Sequence, residues 1–275
     1  MGALYQYRNG PLYLHYSLDE IPNPGHFYMH VHHVYEILYI IRGKGSFYVE
    51  GKEYRISDGC YIFTRPGETH KMNIDTSVPY ERIGVHFPAE LLEQFDPDKR
   101  LLNVFCDRSL GTHNFFAAYD LPSGLGTELM KLAEPQCDDY RAKLSMSIRI
   151  GAFLLEVSGH FERNRASLGA QASGDVIANV IEYINENLFS DFNLDSLSKM
   201  FYISKSYLER RFKQVTGSTV WDYVLIKRLF VARESILSGD PPTKVYLSCG
   251  FKDYSSFFRQ YKNRFGVSPN EDKRP

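Results

Sequence analysis

The sequence predicts an α+β protein in which an antiparallel β-barrel with flanking helices is followed by a separate all-α domain. Up to about residue 88, short runs rich in Tyr, Ile, Val and Phe alternate with Gly, Pro, Asp and Asn, which is typical of closely spaced antiparallel strands. Beyond that point the apolar residues recur at helical spacing. At 275 residues, the chain is long enough for two domains of ordinary size.

Five short runs account for the predicted strands. Each run is bounded by turn-forming residues, and a tight hairpin turn is expected around Gly51. The segment that precedes the five runs, MGALYQYRNGPLYLHYS, is interpreted as an N-terminal arm. The runs are YEILYIIRG, GSFYVEG, KEYRIS, GCYIFTRPGETH and YERIGVHF.

A long amphipathic helix is predicted within YRAKLSMSIRIGAFLLEVSGHF, where the apolar residues recur at helical spacing. They are Leu144, Ile148, Ala152 and Leu155 with the neighbours Ile150, Phe153 and Leu154. A shorter helix around GTELMKLAE precedes it, so that the helical part of the first domain covers residues 120–165 approximately. Helices in this position either cover the core of the β domain or offer an apolar stripe to a second copy of the chain. A homodimer is the expected state.

A flexible linker is predicted within RNRASLGAQASGD, because this stretch is small, polar and almost free of apolar side chains. We therefore predict a first domain at residues 1–165, a linker at 166–174 and a second domain at 175–275. From residue 175 onward, 15 Lys and Arg stand against 12 Asp and Glu, although the whole chain has a net charge of −1. A modestly basic C-terminal domain favours an acidic partner.

Two stretches of the second domain are similar at an offset of 49 residues, NLDSLSKMFYISKSYLERRFKQVTG and PTKVYLSCGFKDYSSFFRQYKNRFG. Each predicts a short helix, a tight turn and a second helix with a basic face. In the first unit, Ser204 is a suitable N-cap for the second helix, and Leu208 and Phe212 face its core. Two such units in series predict a double helix-turn-helix domain.

The polar face of each second helix is predicted to contact double-stranded DNA. The major groove is about 12 Å wide and admits one helix whose first turns reach the base edges. A solvated helix face is the alternative for any single Lys or Arg, but it does not explain two similar units. The predicted DNA-binding residues are Ser204, Lys205, Ser206, Tyr207, Glu209, Arg210, Lys213, Lys252, Asp253, Tyr254, Ser255, Ser256, Arg259 and Lys262.

The second domain resembles the AraC/XylS family of bacterial transcription regulators. SKSYLERRFKQVTGST, Arg228 with Ala232, and CGFKDYSSFFRQYKNRFGVSP carry the resemblance, over roughly the last hundred residues. It implies two helix-turn-helix modules that enter successive major-groove segments of an asymmetric site. There are departures: Tyr246 stands where the family usually has Ala, and Pro241 and Pro242 open the leading helix of the second unit, which is expected to be shortened.

The first domain resembles the cupin-like sensory domain that many members of that family carry. The match is H-x-H-x3-E-x6-G at His30, His32, Glu36 and Gly43, followed by GCYIFTRPGETH, which ends on His70. The resemblance implies a jelly-roll barrel, and in metal-binding cupins these histidines and the glutamate hold a divalent ion. Alternation on a strand places His30 and His32 on one face, and three imidazoles with one carboxylate would suit Fe, Mn, Ni or Zn.

The alternative is that the same side chains line the pocket of a small effector, because His and Glu form hydrogen bonds with hydroxyl-rich ligands. We expect this interpretation to hold, with no required cofactor and with a divalent metal in the barrel as the competing hypothesis. A sugar or glycoside is the expected effector, because carbohydrate-responsive branches of the family commonly have this arrangement. The residues predicted to bind it are His30, His32, Glu36, His70, Tyr28 and Tyr39.

Three function classes are open: an effector-controlled DNA-binding regulator, a cupin metalloenzyme, and a sugar-binding module without DNA activity. Only the first class explains both domains, so we predict a regulator that is not an enzyme. The four cysteines form no C-x-x-C pair, which argues against a structural zinc site. The chain shows neither a secretory signal nor about 18 consecutive apolar residues, so a cytoplasmic location without a membrane partner is expected.

Overall fold

The structure, a computed structural model, describes residues 2–23, 27, 29–134, 138–164 and 176–272 of the chain. Its contacts divide the chain into two compact units, of which the first contains Met1–His30 and Val34–Ser173 and the second contains Val31–His33 and Gly174–Pro275. The linker predicted at 166–174 lies outside the described residues. The predicted domain limits therefore remain a prediction.

The first unit contains two antiparallel sheets. Its strands are β1 Gly2–Asn9, β2 Leu12–Asp19, β3 Tyr35–Arg42, β4 Gly45–Val49, β5 Lys52–Ile56, β6 Tyr61–Thr64, β7 His70–Ile74, β8 Tyr80–Phe87 and β9 Phe115–Phe116. The larger sheet has the order β1-β2-β8-β3-β6-β9, and the smaller has the order β5-β4-β7. The five predicted strands are confirmed as β3, β4, β5, β6 and β8.

Two details differ from expectation. The described strands form two separate hydrogen-bonded sheets and not one closed barrel. The interpretation of the first residues as an arm is wrong, because β1 and β2 form a hairpin and β2 pairs with β8 inside the larger sheet. Leu12 and Leu14 of β2 are buried in the core, which fixes the hairpin to the sheet.

The larger sheet has one core on each of its faces, because successive side chains of a strand point in opposite directions. Ile37 of β3 and Val85 of β8 belong to the core shared with the helices. Leu38 and Tyr80, on the other face, pack with Phe47 of the smaller sheet. This second face also carries polar side chains that line a cavity between the two sheets.

The α-helices in the described part of the first unit follow β8, and they are α1 Asn103–Cys106, α2 Leu125–Leu132 and α3 Asp139–Asn164. Ile150 and Phe153 of α3 are buried against the sheet. By contrast, Leu144, Ile148 and Leu155 are 44%, 57% and 63% exposed. Of the apolar positions predicted for this helix, Ile150, Phe153 and Leu154 therefore cover the core, whereas Leu144, Ile148 and Leu155 lie on an exposed face.

The described part of the second unit is helical. Its helices are α4 Val176–Glu186, α5 Leu194–Met200, α6 Lys205–Thr216, α7 Val220–Leu237, α8 Pro242–Ser248, α9 Tyr254–Phe265 and α10 Pro269–Asp272. Ser204 caps α6 as predicted, with its hydroxyl oxygen accepting a hydrogen bond from the amide of Tyr207. Asp253 caps α9 in the same way, through the amide of Ser256. The predicted α+β fold class, with a double helix-turn-helix second domain, is confirmed.

The expected shortening of the leading helix of the second helix-turn-helix unit is wrong. Helix α8 has seven residues, as α5 has in the first unit. Pro242 lies at the first helical position, where a missing N–H costs nothing because that group has no partner within the helix. Tyr246, which replaces the usual Ala, packs its ring edge-on against Tyr254 at a centroid distance of 5.5 Å.

Arg228 of α7 joins the second helix-turn-helix unit to the segment that follows α4. Its Nε donates to the carbonyl of Leu188 at 2.8 Å, and its Nη1 donates to the carbonyl of Gly250 at 2.8 Å. Gly250 has a φ of 76°, in the left-handed region that favours glycine. A Cβ at this position would lie 2.9 Å from Cζ of Arg228, so both the backbone conformation and the close approach require glycine.

We expect Gly250→Ala to lower the free energy of unfolding by about 2 kcal/mol, since the left-handed conformation alone costs a non-glycine residue roughly 1–2 kcal/mol. Gly266→Ala is the matched control, because Gly266 has a φ of 75° and no described atom within 4 Å of a Cβ built there. Urea unfolding measured by circular dichroism compares the two variants. If both variants lose the same free energy of unfolding, the close approach of Arg228 to Gly250 makes no contribution beyond the backbone conformation.

Candidate effector pocket and DNA-binding face

A cavity of about 200 Å³ lies between the two sheets of the first unit. Strands β2, β3 and β8 supply one wall, and β4 and β7 supply the other. One part of the lining is aromatic or aliphatic and the other part is polar. The lining residues are His15, Phe27, His30, Glu36, Leu38, Phe47, His70, Met72, Tyr80, Arg82 and His86.

Strand register brings the polar residues of the larger sheet together. In the register, Glu36 of β3 is opposite His86 of β8, and His15 of β2 is opposite Gly84. A Cβ on Gly84 would lie 2.1 Å from Nε2 of His15, so glycine leaves the space that the imidazole fills. Tyr80, Arg82 and His86 share this face because they are an even number of residues apart on one strand.

The carboxylate of Glu36 is the centre of the polar part. Its Oε2 accepts a hydrogen bond from the hydroxyl of Thr64 at 2.9 Å and lies 3.3 Å from Nε2 of His70. Its Oε1 lies 3.3 Å from Nε2 of His86. Burial alone would lower the pKa of His70, but the carboxylate of Glu36 outweighs that effect and raises it.

His15 and Arg82 occupy the same polar part with a different electrostatic balance. Burial, followed by the positive charge of Arg82, lowers the pKa of His15 to about 4, so this imidazole is neutral at pH 7. Arg82 Nη1 donates to Oδ2 of Asp19 at 2.7 Å, and its guanidinium lies 4.3 Å from the centroid of Tyr80. The cavity thus offers a neutral imidazole and a paired guanidinium next to an aromatic ring.

A buried ion pair supports the loop that leads into β7. Arg108 donates from Nη1 and Nη2 to the two carboxylate oxygens of Glu68, at 2.6 and 2.8 Å, and both side chains are fully buried. Asn114 Nδ2 donates to the same carboxylate at 2.9 Å. The carbonyl of Glu68 in turn lies 2.9 Å from Nδ1 of His70, which orients that imidazole toward Glu36.

The structure brings together three of the residues predicted for this site. The rings of His30 and His70 lie at a centroid distance of 4.2 Å, and Nε2 of His70 lies 3.3 Å from the carboxylate of Glu36. His32 belongs to Val31–His33, which clusters with the second unit. Tyr28 lies outside the described residues. Tyr39 was predicted to bind the effector, but it is on the opposite face of β3, stacked on Tyr61 at a centroid distance of 4.7 Å, and does not line the cavity.

His15, Arg82 and His86 line the cavity but are absent from the predicted set. The run YERIGVHF contained a signal for two of them, because Arg82 and His86 are four residues apart on a strand. His15 could not be found in this way, since its segment had been interpreted as an arm.

The predicted DNA-binding side chains on α6 are exposed, including Glu209, Arg210 and Lys213. Lys205, also exposed, forms an ion pair with Asp195 of α5. On α9, Arg259 and Lys262 are exposed, whereas Tyr254 and Ser256 are half-buried. The DNA contacts themselves remain predictions.

Comparison with known proteins agrees with both parts of the chain. A family model described as an AraC-like ligand binding domain matches residues 18–106, and a helix-turn-helix domain model matches residues 197–274. The chain belongs to the AraC family of transcription regulators. The AraC-family assignment rests on both domains, since the two matched segments together make up more than half of the chain.

Individual AraC-family relatives cover different parts of the chain. The HTH-type transcriptional activator RhaS of Escherichia fergusonii is 24% identical over 255 residues, which is 90% of this chain and 87% of that protein. The regulatory protein SoxS of Escherichia coli K12 is 28% identical over 97 residues, 35% of this chain and 91% of that protein. A solved AraC-type transcriptional regulator from Chromobacterium violaceum is 27% identical, covers 34% of this chain and 85% of that chain, and has a TM-score of 0.32.

This AraC-family protein is therefore a DNA-binding transcription regulator with an N-terminal ligand-binding domain. RhaS is named as a transcriptional activator and SoxS as a regulatory protein, which agrees with the prediction of a regulator and not of a cupin metalloenzyme. Within the described ranges, none of the helices combines the length and the apolar character that a bilayer crossing requires.

Proposed function

We propose that this regulator binds a sugar or glycoside in the cavity between its two sheets and that the bound ligand changes its binding to DNA. The observation that carries the proposal is the position of Glu36, whose two carboxylate oxygens lie 3.3 Å from the imidazoles of His70 and His86 at the wall of the cavity. A bidentate carboxylate accepts hydrogen bonds from two neighbouring hydroxyls, and imidazoles can donate or accept beside it.

The apolar part of the cavity suits the C–H face of a sugar ring. Phe27 and Tyr80 pack edge-on at a centroid distance of 5.5 Å, and Phe47 and Met72 come from the smaller sheet. Aromatic side chains with a few convergent polar groups are the usual lining of small-molecule sites. The cavity volume of about 200 Å³ favours a ligand of about one ring.

Control of DNA binding requires that the ligand has different affinities for two arrangements of the protein. Strand β2 connects the cavity to the rest of the first unit, because His15 faces the cavity while Leu14 is buried in the core shared with the helices. A ligand that moves His15 would therefore also strain the packing of β2 on that core.

A thermal-shift screen of monosaccharides tests this proposal. A ligand that binds only the folded state stabilises it by mass action, by about 2.7 kcal/mol at a hundred times its Kd. We expect one class of sugar to raise the melting temperature of the wild type and of Glu93→Gln, whose carboxylate is exposed, but not of Glu36→Gln. A sugar that stabilises Glu36→Gln as much as the wild type would contradict the proposed role of Glu36.

A divalent metal ion is a second candidate for the same cavity, because His30, His70 and Glu36 are grouped in its lining. Imidazoles with a carboxylate fit such an ion, which would supply a Lewis-acid anchor for ligand oxygens. Arg82 argues against it, since a guanidinium in the same cavity adds positive charge. Elemental analysis distinguishes the two: a stoichiometric ion that is lost in His32→Ala would favour the metal.

We further propose that α3 forms a homodimer interface through the apolar stripe of Leu144, Ile148 and Leu155. These side chains are 44%, 57% and 63% exposed, and a continuous apolar stripe on a helix is typical of an association surface. We expect Ile148→Glu to halve the mass measured by light scattering, while Lys143→Glu, an exposed position outside the stripe, keeps the wild-type mass. A wild-type mass for Ile148→Glu would rule out this interface.

A further inference from the structure

A second cavity, of about 260 Å³, lies in the second unit beside α6. The α6 side chains Glu209, Arg210 and Lys213 form one wall, and Leu194, Val220 and Trp221 form much of the other. The three α6 residues belong to the face predicted to contact DNA. The cavity is therefore continuous with that face and extends it toward the start of α7.

Trp221 is held in a defined position at this cavity. Its ring stacks on Phe192 with a centroid distance of 5.5 Å and an interplanar angle of 13°, and it remains 44% exposed. The residue is in the first turn of α7, which Thr219 caps by accepting a hydrogen bond from the amide of Asp222 at 3.1 Å. A fixed and half-exposed aromatic ring loses little conformational entropy when a ligand covers it.

The charges at the cavity suit a polyanion with apolar parts. Arg210 and Lys213 provide two cations against the single carboxylate of Glu209. The DNA backbone alternates anionic phosphates with deoxyribose rings whose C–H faces are apolar. We infer that the sugar–phosphate backbone of duplex DNA occupies this cavity, with a deoxyribose against Trp221 and the neighbouring phosphate on Lys213.

This assignment gives Trp221 a different role from the basic side chains. A phosphate contact by Lys213 releases counterions and makes the affinity depend on salt. A deoxyribose contact removes apolar surface from water and carries no charge, so it is independent of both salt and base sequence. The inference rests on the DNA binding of this family and not on the identity of the effector in the first unit.

Trp221 is the only tryptophan in the chain, so its fluorescence reports on this site alone. The experiment titrates the full chain with a random-sequence duplex of about 30 base pairs at about 50 mM salt, where non-specific binding is strong. We expect the complex to show blue-shifted emission and a lower acrylamide quenching constant than the free protein. Unchanged access of acrylamide to Trp221 in the complex would overturn the inference.

Substitutions at Trp221 and Lys213 provide a second test. Trp221→Ala should lower the affinity for the duplex about tenfold, as loss of roughly 50 Å² of apolar contact predicts, with the slope of log affinity against log salt unchanged. Trp221→Phe keeps a ring that can stack on Phe192 and should retain most of the affinity. Lys213→Ala should instead reduce the salt slope by about one. Wild-type affinity in a folded Trp221→Ala, or a reduced salt slope in it, would overturn the inference.

Discussion

Glu68→Gln will lower the free energy of unfolding by about 3–5 kcal/mol, because removal of one partner of a buried ion pair leaves an uncompensated charge. Arg108, the partner, has a fully buried side chain and donates to both oxygens of Glu68. The amides of Gly111 and Arg65 also donate to this carboxylate, at 3.0 and 3.1 Å. An amide in place of the carboxylate cannot accept all of these hydrogen bonds.

Urea unfolding of the full chain measures this effect. Glu93→Gln, at an exposed site, is the control and should change the free energy of unfolding by less than about 0.5 kcal/mol. The double variant Glu68→Gln/Arg108→Met should recover part of the loss, because it removes the orphaned charge. If Glu68→Gln lowers the free energy of unfolding by less than about 1 kcal/mol, the ion pair between Glu68 and Arg108 does not stabilise the fold as a buried pair would.

Arg210→Ala and Arg259→Ala will each weaken binding to a specific DNA site by about ten- to a hundredfold, the loss of one base-reading arginine contact. Both side chains are exposed on the polar faces of α6 and α9, so the expected loss comes from DNA contacts and not from unfolding. Fluorescence anisotropy with a labelled duplex provides the dissociation constants. Arg55→Ala, an exposed arginine of the first unit, should bind as the wild type does.

The two arginines should also act independently. Each belongs to a different helix-turn-helix unit, so their losses of binding free energy should add in the double variant. Wild-type affinity in either single variant would remove that helix from the proposed contact surface.

Local signals in the sequence were sufficient for the second unit. Ser204 caps α6, Gly217 and Gly266 end α6 and α9 with a positive φ, and the apolar spacing sets the inner faces. Only the length of α8 was misjudged, because Pro242 at the first helical position does not shorten a helix. Helical elements of this kind depend on neighbours in the sequence.

The pocket depended on contacts that are distant in the sequence. His15, Glu36 and His86 lie together because β2, β8 and β3 are adjacent in the sheet, and no local pattern specifies that order. The face of Tyr39 was predictable, however, because residues 36 and 39 are an odd number apart and so point to opposite sides of β3. The sequence therefore predicts which side chains of one strand share a face, but it does not predict which strands pair or in what register.

Selection of binding sites from a random duplex library tests the central claim that two helix-turn-helix units of one chain both read DNA. We predict that the wild type selects two short elements about one helical turn apart, since each recognition helix enters one major-groove segment. Arg210→Ala should relax the sequence of one element and Arg259→Ala that of the other. A single element, or the loss of the same element in both variants, would contradict the account.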